Sequence, residues 1–250
     1  MKTLVVIPTY NEKENIQKLV ERILNLNLNL LVIDDNSPDG TGEILEQLKI
    51  KNEKLKIIHR KDKRSEGLSR RDGYRYALEH NYNYILEMDA DLSHNPEEIP
   101  NFLETIREWD VVIGSRFISG SKQLGRSIFR RLGSRLANLY IRKMLKIKNV
   151  YDCASGYRCY RREVLEKIDL DDMSFTPLDK SAPGYLTGFT GPASLIKTLF
   201  KCYKLGFKIK EIPITYRERE FGKSKKNSLG FIIEAFWTVF KLRLGRCHFQ

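Results

Sequence analysis

The feature that most constrains the fold is a regular alternation between short apolar runs and longer segments with helical spacing of apolar residues. The runs are rich in β-branched residues and predict strands at Thr3–Ile7, Leu30–Asp34, Lys56–His59, Tyr84–Met88 and Asp110–Gly114. A strand–helix rhythm of this kind is typical of parallel sheets that are covered on both sides. The sequence therefore predicts an α/β fold with a mostly parallel central sheet and helices on both faces.

Polar motifs follow four of these runs directly. They are PTYNE at 8–12, DDNSPDGT at 34–41, DADLSH at 89–94 and GSRF at 114–117. Pro, Asn, Asp and Gly end many strands whatever the function, so one such motif indicates only a turn. The carboxyl ends of parallel strands, however, meet at one edge of the sheet, where ligands bind. Four motifs at that edge favour a binding site.

The motif Asp89-Ala90-Asp91 follows a buried run and predicts a metal site. If strand alternation continues through the motif, the two carboxylates point to the same side. Close carboxylates suit Mg²⁺ or Mn²⁺, which keeps open positions for diphosphate oxygens. Such a cation offsets the charge that develops on a nucleoside diphosphate leaving group.

The charge distribution points to an anionic partner. The formal net charge is +12, and between Asp110 and Asp152 the chain carries ten Lys or Arg and no acidic residue. Nucleic acid, a phospholipid surface and a phosphorylated small molecule all fit a basic chain. No recognised nucleic-acid-binding module accompanies these residues, and a carboxylate pair without metal repels phosphate. We therefore expect no nucleic-acid partner.

Two segments have the character of surface helices. Ile128–Ile147 places apolar and basic residues as in a basic amphipathic helix, which suits a membrane surface; an ordinary exposed helix is the alternative. Leu229–Phe240 is too short to span a bilayer. It is either a helix packed on the core or an interfacial helix that places the aromatic side chains Phe231, Phe236, Trp237 and Phe240 in the headgroup zone.

The cysteines and the N-terminus indicate a cytosolic protein. The four cysteines form no CxxC pair and no metal-ligand spacing, so we expect reduced thiols. The apolar run in MKTLVVIPTYNE is far shorter than the core of a signal peptide.

The four motifs, together with EIPITYRER and GKSK in the range 211–225, resemble the family-two glycosyltransferases with the GT-A fold. Within that family they are most similar to the dolichyl-phosphate mannose synthase, or polyprenol-phosphate mannosyltransferase, branch. The resemblance runs from about Lys2 to Lys225. It implies a GT-A nucleotide-diphospho-sugar transferase domain over residues 1–226, followed by a C-terminal amphipathic helix in 227–250.

The resemblance also implies roles for particular residues. The nucleotide-sugar donor would meet Pro8, Tyr10, Glu12, Ile33, Asp35, Asp89, Ala90 and Asp91, and the metal would lie among Asp89, Asp91 and Ser93. The acceptor phosphate would meet Arg116, Arg130 and Ser134, and catalysis would depend on Asp91, Arg116, Arg219 and Lys225. An acceptor phosphate is already anionic near neutral pH, so we assign no catalytic base.

The reaction implied is an inverting, metal-dependent transfer of mannose from GDP-mannose to dolichyl or polyprenyl phosphate, which gives a β-linked lipid-linked sugar. The protein would lie on the cytosolic face of a membrane, where a small membrane subunit is a further possible partner. The alternatives are a polyprenyl-phosphate glucosyl- or N-acetylglucosaminyltransferase that uses a UDP-sugar, and a soluble glycosyltransferase with a polar acceptor cleft.

Two departures from the family pattern leave the sugar and the nucleotide open. No acid lies between Asp179 and Glu211, where relatives carry a Glu. Where many relatives read Gly-Leu-Gly, this chain has the bulkier residues Ser69, Arg70 and Arg71.

Overall fold

The computed structural model describes residues 2–61, 65–171, 191–219 and 229–244, with residues 191 and 229–234 described by their backbone. The strands are β1 (Thr3–Thr9), β2 (Asn29–Asp34), β3 (Leu55–His59), β4 (Tyr84–Glu87), β5 (Val111–Ser115), β6 (Lys122–Leu124), β7 (Arg158–Arg161), β8 (Ile209–Pro213) and β9 (Thr215–Arg217). The helices are α1 (Ile16–Asn25), α2 (Thr41–Ile50), α3 (Glu66–Glu79), α4 (Ile99–Thr105), α5 (Ile128–Leu145), α6 (Arg162–Lys167), α7 (Gly191–Lys204) and α8 (Leu229–Arg243). A short 3₁₀ turn at Pro96–Glu98 precedes α4.

A central sheet of seven strands organises the described residues, in the order β3-β2-β1-β4-β7-β5-β8. All its neighbouring pairs are parallel except those of β7, which runs antiparallel to both β4 and β5. The five predicted strands are β1 to β5, so the predicted α/β fold with a mostly parallel sheet is confirmed. The sequence RCYR of β7 gave no apolar run, and this strand was not predicted.

Both faces of the sheet are buried, which explains the continuous apolar runs. Val6 of β1 packs in one core cluster with Tyr74 of α3, and its neighbour Val5 packs in the other with Leu19 of α1. Helix α3 approaches its face closely: a Cβ on Gly73 would lie 2.4 Å from Val6 Cγ1. Helices therefore cover the sheet on both sides, as predicted.

Helices α5 and α8 each bury one face and expose apolar residues on the other. Val239 and Leu242 of α8 are buried in the core, whereas Phe236, Trp237 and Phe240 are exposed. Helices α5 and α8 contact each other through Tyr140 and Phe236, whose ring centroids are 4.4 Å apart. Across the ranges that the structure describes, no helix combines the length and the apolar character needed to cross a bilayer. The domain boundary at 226/227 stays a prediction, and the Phe231 side chain lies outside the described residues.

The described cysteines are free and buried, namely Cys153, Cys159 and Cys202. Burial raises the pKa of the Cys153 and Cys202 thiols to about 12. These thiols therefore stay protonated near neutral pH and pack as small apolar groups. Cys247 lies outside the described residues.

Candidate active site

Three of the four strand-end motifs turn through a residue with left-handed backbone. These are Asn11, Asn36 and Leu92, with φ of 53°, 58° and 58°. Asn tolerates this conformation because its short polar side chain can bond locally, whereas Leu rarely adopts it. Leu92 directly follows Asp91, and the Ser93 amide donates a 3.1 Å hydrogen bond to Asp91 Oδ1. A strained turn thus holds the second carboxylate of the DxD motif in place.

The turn, and not the strand, sets the direction of the two DxD carboxylates. Strand β4 ends at Glu87, before Asp89, so the predicted strand alternation through the motif is wrong. The Asp89 amide instead donates to His94 Nδ1 at 3.2 Å, and the His94 ring stacks on Tyr157 with centroids 4.9 Å apart. Gly156 leaves room for the Asp89 side chain, because a Cβ there would lie 2.9 Å from Asp89 Oδ1.

A cavity of about 530 Å³ runs past this turn. It is lined by Glu66 at the start of α3, by the DxD carboxylates, and by polar and apolar side chains of α5, α7 and α8. It brings together six of the residues singled out in the sequence, namely Asp89, Asp91, Arg116, Arg130, Ser134 and Arg219. The predicted shared face of Arg130 and Ser134 is one wall of this cavity.

Arg116 is held in the cavity wall by a buried carboxylate. Its Nε and Nη2 atoms donate to the two oxygens of Asp152 at 2.7 Å each, and its backbone amide donates to Asp152 at 3.0 Å. Burial by itself would lower the pKa of Arg116, but the Asp152 carboxylate raises it above its ordinary value. The sequence identified Arg116 but not Asp152, which lies 36 residues away and is fully buried.

The other two cavity arginines singled out in the sequence also have carboxylate partners. Arg130 Nη1 donates to Glu218 Oε1 at 2.6 Å, and Arg219 Nη2 donates to Asp91 Oδ2 at 2.6 Å. A phosphate entering the cavity would share or replace these partners, since guanidinium groups bind phosphate oxygens in the same geometry.

Arg126 also lines the cavity, although no role was predicted for it from the sequence. Burial, followed by the nearby charge of Arg116, lowers the pKa of Arg126. An arginine remains charged in a protein, so this wall of the cavity attracts anions.

The predicted nucleoside-binding residues lie at the ends of β1 and β2, beside the cavity. Pro8 pairs in register with Ile33, and the Asp35 amide donates to Thr9 O at 2.9 Å. The Asp35 carboxylate accepts from Arg60 Nη1 at 2.5 Å and from the Ser65 amide at 2.7 Å. It is therefore anchored within the chain, and only its remaining lone pairs could serve a nucleoside.

Glu12 and Tyr10 complete this group. Glu12 Oε2 accepts from Asn15 Nδ2 at 2.8 Å, and Glu12 Oε1 lies 3.9 Å from Arg219 Nη1. Tyr10, two residues before Glu12, is partly buried. None of Pro8, Tyr10, Glu12, Ile33 and Asp35 is among the described residues that line the cavity, and neither is the buried Ala90.

The donor set around the DxD motif fits a divalent cation. Asp89 and Asp91 supply two hard carboxylates to one cavity, which is the number that Mg²⁺ or Mn²⁺ commonly takes from protein when diphosphate oxygens fill other positions. The Ser93 hydroxyl is buried and has no hydrogen-bond partner within the described ranges, so it is a candidate third oxygen. Lys225 lies outside the described residues.

The buried guanidinium group of Arg70, on α3, lies next to the DxD motif. No role was predicted for Arg70 from the sequence. Arg70 is 1% exposed, contacts Glu66 and the fully buried Glu87, and donates to Ser194 Oγ at 3.1 Å. Its Nη2 atom lies 3.9 Å from Asp89 Oδ1. Burial alone would lower the pKa of Arg70, but the carboxylates of Glu66, Glu87 and Asp89 raise it well above its ordinary value.

A mostly parallel sheet with polar motifs at one edge, and a cavity that holds a DxD pair opposite arginines, define the class of nucleotide-sugar transferases with the GT-A fold. The fold is similar to that of glucosyl-3-phosphoglycerate synthase from Mycobacterium tuberculosis, solved with Mn²⁺, UDP and glucosyl-3-phosphoglycerate. That likeness has a TM-score of 0.67 at 18% identity and covers 98% of this chain and 80% of the other.

Residues 4–169 match the family model "Glycosyl transferase family 2", and the chain belongs to this family. It is 38% identical to undecaprenyl-phosphate mannosyltransferase of Micrococcus luteus, over 96% of this chain and 93% of the relative. It is 37% identical to polyprenol monophosphomannose synthase of Mycolicibacterium smegmatis, over 95% of this chain and 85% of the relative. The protein is therefore a glycosyltransferase, as the motifs indicated.

Proposed function

We propose that this glycosyltransferase moves mannose from GDP-mannose to a polyprenyl or dolichyl phosphate and forms a β-linked lipid-linked sugar. The names of the two relatives support this reaction. The observation that carries the proposal is the cavity, whose lining combines carboxylates, arginines and apolar side chains. A polyprenyl phosphate needs cations for its headgroup and apolar walls for its chain, whereas a soluble acceptor needs a polar cleft.

The apolar part of the cavity supports a lipid acceptor. Leu136 and Ile141 of α5, Leu195 and Ile196 of α7 and Phe236 of α8 contribute to its walls. Leu136 and Phe236 are also exposed at the surface, so this part of the cavity continues to the outside. Each methylene of an isoprenoid chain that leaves water for such a surface contributes about 0.8 kcal/mol.

The arginines and Ser134 would position the acceptor for attack. Arg130 and Ser134, one helical turn apart, and Arg116 can bind the acceptor phosphate so that one oxygen faces the anomeric carbon of the donor. That oxygen forms the new bond as the bond to the nucleotide oxygen breaks, and the electron pair leaves with the nucleoside diphosphate. A single in-line displacement of this kind inverts the anomeric configuration and needs no general base.

The remaining residues would bind the donor and stabilise its leaving group. Asp89 and Asp91, with Ser93, would hold Mg²⁺ or Mn²⁺, which when bound neutralises charge on the diphosphate. Arg219 lies beside Asp91 and would add a second positive charge there. Pro8, Tyr10, Glu12, Ile33 and Asp35 would contact the nucleoside next to Ala90, and Lys225 would serve the acceptor side.

The exposed faces of α5 and α8 would lie on the membrane. Phe129 at the start of α5 is 83% exposed, and Trp237 and Phe240 of α8 are also exposed. The basic side chains of Arg135 and Lys143 are exposed on the same helix as Phe129. Apolar residues rimmed by basic ones suit the interface of an anionic bilayer, and this orientation turns the open part of the cavity toward the lipid acceptor. A small membrane-anchoring subunit would use the same face.

The decisive experiment is transfer of radiolabelled sugar into an organic-extractable lipid. GDP-mannose, UDP-glucose and UDP-N-acetylglucosamine are tested separately with polyprenyl phosphate and Mg²⁺ or Mn²⁺, with an EDTA control. We expect label from GDP-mannose alone, and none with EDTA. Label from a UDP-sugar would replace the proposed donor, and absence of lipid label from every donor would contradict a lipid acceptor.

A further inference from the structure

Glu66 is an acidic residue of the cavity to which neither the family motifs nor the proposed reaction assigns a role. It is the first residue of α3, and its side chain is 19% exposed. It lines the same cavity as Asp89 and Asp91. An acid in the first turn of a helix is often only a favourable partner of the helix dipole. Glu66 differs from such an acid in how it is held.

Arg70 holds the Glu66 carboxylate next to the DxD motif. The Arg70 Nη2 atom contacts Glu66 Oε1 and lies 3.9 Å from Asp89 Oδ1, so one nitrogen lies between the two carboxylates. Contacts with the buried Glu87 and with Ser194 Oγ fix the other side of the guanidinium group. A side chain anchored by a fully buried arginine has few rotamers left and is preorganised for a ligand.

The chemistry of the cavity limits what Glu66 can bind. A carboxylate repels phosphate, and the groups of this cavity that suit phosphate are its arginines, among them Arg116 and Arg130. Within the described part of the chain, no three His, Cys, Asp or Glu side chains are grouped closely enough to hold a metal ion, so Glu66 does not complete a carboxylate cage with Asp89 and Asp91. The remaining ligand is a neutral polyol, whose hydroxyl groups donate hydrogen bonds to carboxylates.

We propose that Glu66 accepts hydrogen bonds from hydroxyl groups of the donor hexose and so contributes to the choice of sugar. This inference rests on the proposed nucleotide-sugar donor, in which the hexose is covalently attached to the diphosphate that the DxD motif would bind. Arg70 is then a positioning residue that acts through Glu66. A site built to bind a substrate hydroxyl rejects analogues that lack it, because the hydrogen bond from that hydroxyl to the carboxylate is lost.

The test compares binding of GDP-mannose with binding of GDP, both with Mn²⁺, by isothermal titration calorimetry. In Glu66→Gln the side chain keeps its shape and its contact with Arg70 but loses its charge. We expect the ratio of the Kd for GDP-mannose to the Kd for GDP to rise about 10- to 100-fold, the loss typical of a hydrogen bond to a charged group. The Kd for GDP stays within about twofold of wild type, because GDP has no hexose.

Two variants serve as controls. Glu79→Gln makes the same change at the exposed end of the same helix, away from the cavity, and should leave both constants unchanged. Glu66→Asp keeps the charge but withdraws it by one methylene, and should give a smaller rise in the ratio than Glu66→Gln. Thermal unfolding of each variant checks that the fold is intact.

Several outcomes would overturn the inference. An unchanged ratio in Glu66→Gln means that Glu66 does not contact the sugar, and an equal loss for GDP and GDP-mannose means that it acts on the metal or the fold. If the wild-type protein binds UDP-sugars and not GDP-mannose, the proposed donor is wrong. The same ratio, measured with UDP-glucose and UDP, then still tests Glu66 independently.

Discussion

Two parts of the cavity lining are built in opposite ways. Around Asp89 the side chains are buried and belong to several elements, and each charge has a protein partner: Arg70 contacts Glu66 and Glu87, and Arg219 contacts Asp91. Helices α5 and α8 contribute a more exposed lining, in which the basic Arg130 accompanies the apolar Leu136 and Phe236. The difference matches the proposed ligands. A diphosphate sugar needs fixed geometry, whereas a lipid phosphate needs charge and a large apolar surface.

Substitutions of the buried charged residues around Asp89 should reduce activity most. We expect Asp91→Ala to have the largest effect. The change removes a proposed metal ligand and the partner of Arg219 together. We expect the transfer rate to fall about 10³-fold or more, because charge stabilisation of the leaving group is lost. Activity is measured by lipid extraction, and circular dichroism checks the fold. Asp171→Ala, at an exposed acid, is the matched control, and full activity in Asp91→Ala would disprove the metal assignment.

The orientation of Arg116 in the cavity wall depends on its buried partner, Asp152. Asp152→Asn keeps the shape of the side chain but removes the charge that orients Arg116, so we expect kcat to fall about 10²-fold. The uncompensated guanidinium group should also reduce the free energy of unfolding by about 3 kcal/mol. Denaturant unfolding and steady-state kinetics measure the two effects. A stability loss with normal kcat would restrict this pair to a structural role.

Arg130→Ala, on α5, should weaken binding of the acceptor and leave binding of the donor unchanged. The Arg130 side chain is 44% exposed and that of its partner Glu218 is 25% exposed, so the pair contributes little to stability and the fold should be unaffected. We expect the KM for polyprenyl phosphate to rise about 10-fold, as for one charge-assisted hydrogen bond. Lys49→Ala, which removes a similarly exposed and paired cation from α2, is the control. An unchanged acceptor KM would remove this face of α5 from the site.

On the exposed apolar face, the expected effect is on membrane binding and not on the transfer reaction itself. Phe129→Ser should lower the partition coefficient onto anionic vesicles about 10-fold, since an aromatic side chain no longer leaves water. Vesicle sedimentation measures the partition. Ile50→Ser, at a residue that is 85% exposed at the end of α2, is the control for loss of surface hydrophobicity. If Phe129→Ser and Ile50→Ser bind the vesicles equally well, the exposed face of α5 would instead be a surface for a protein subunit.

The local patterns of the sequence were sufficient for the five strands and for α5, whose predicted range 128–147 ends two residues beyond the observed helix. Periodicity predicts such elements because it reflects which side of a segment is buried. The motifs also predicted which residues meet: six of them line one cavity. Asn11 and Asn36 even carry the signature of their left-handed turns, since Asn is enriched there.

Only the tertiary structure decided the partners of the charged residues. Arg219 pairs with Asp91 across 128 positions in the chain, and Arg116 pairs with Asp152 across 36. The turn at Leu92 and the strand β7 between β4 and β5 also lacked any local signal. A sequence states which charges exist, but a buried charge takes whichever opposite charge the packing of distant elements brings within hydrogen-bond distance. For that reason the residue types of the site could be predicted, while the buried network of Arg70 and Glu66 could not.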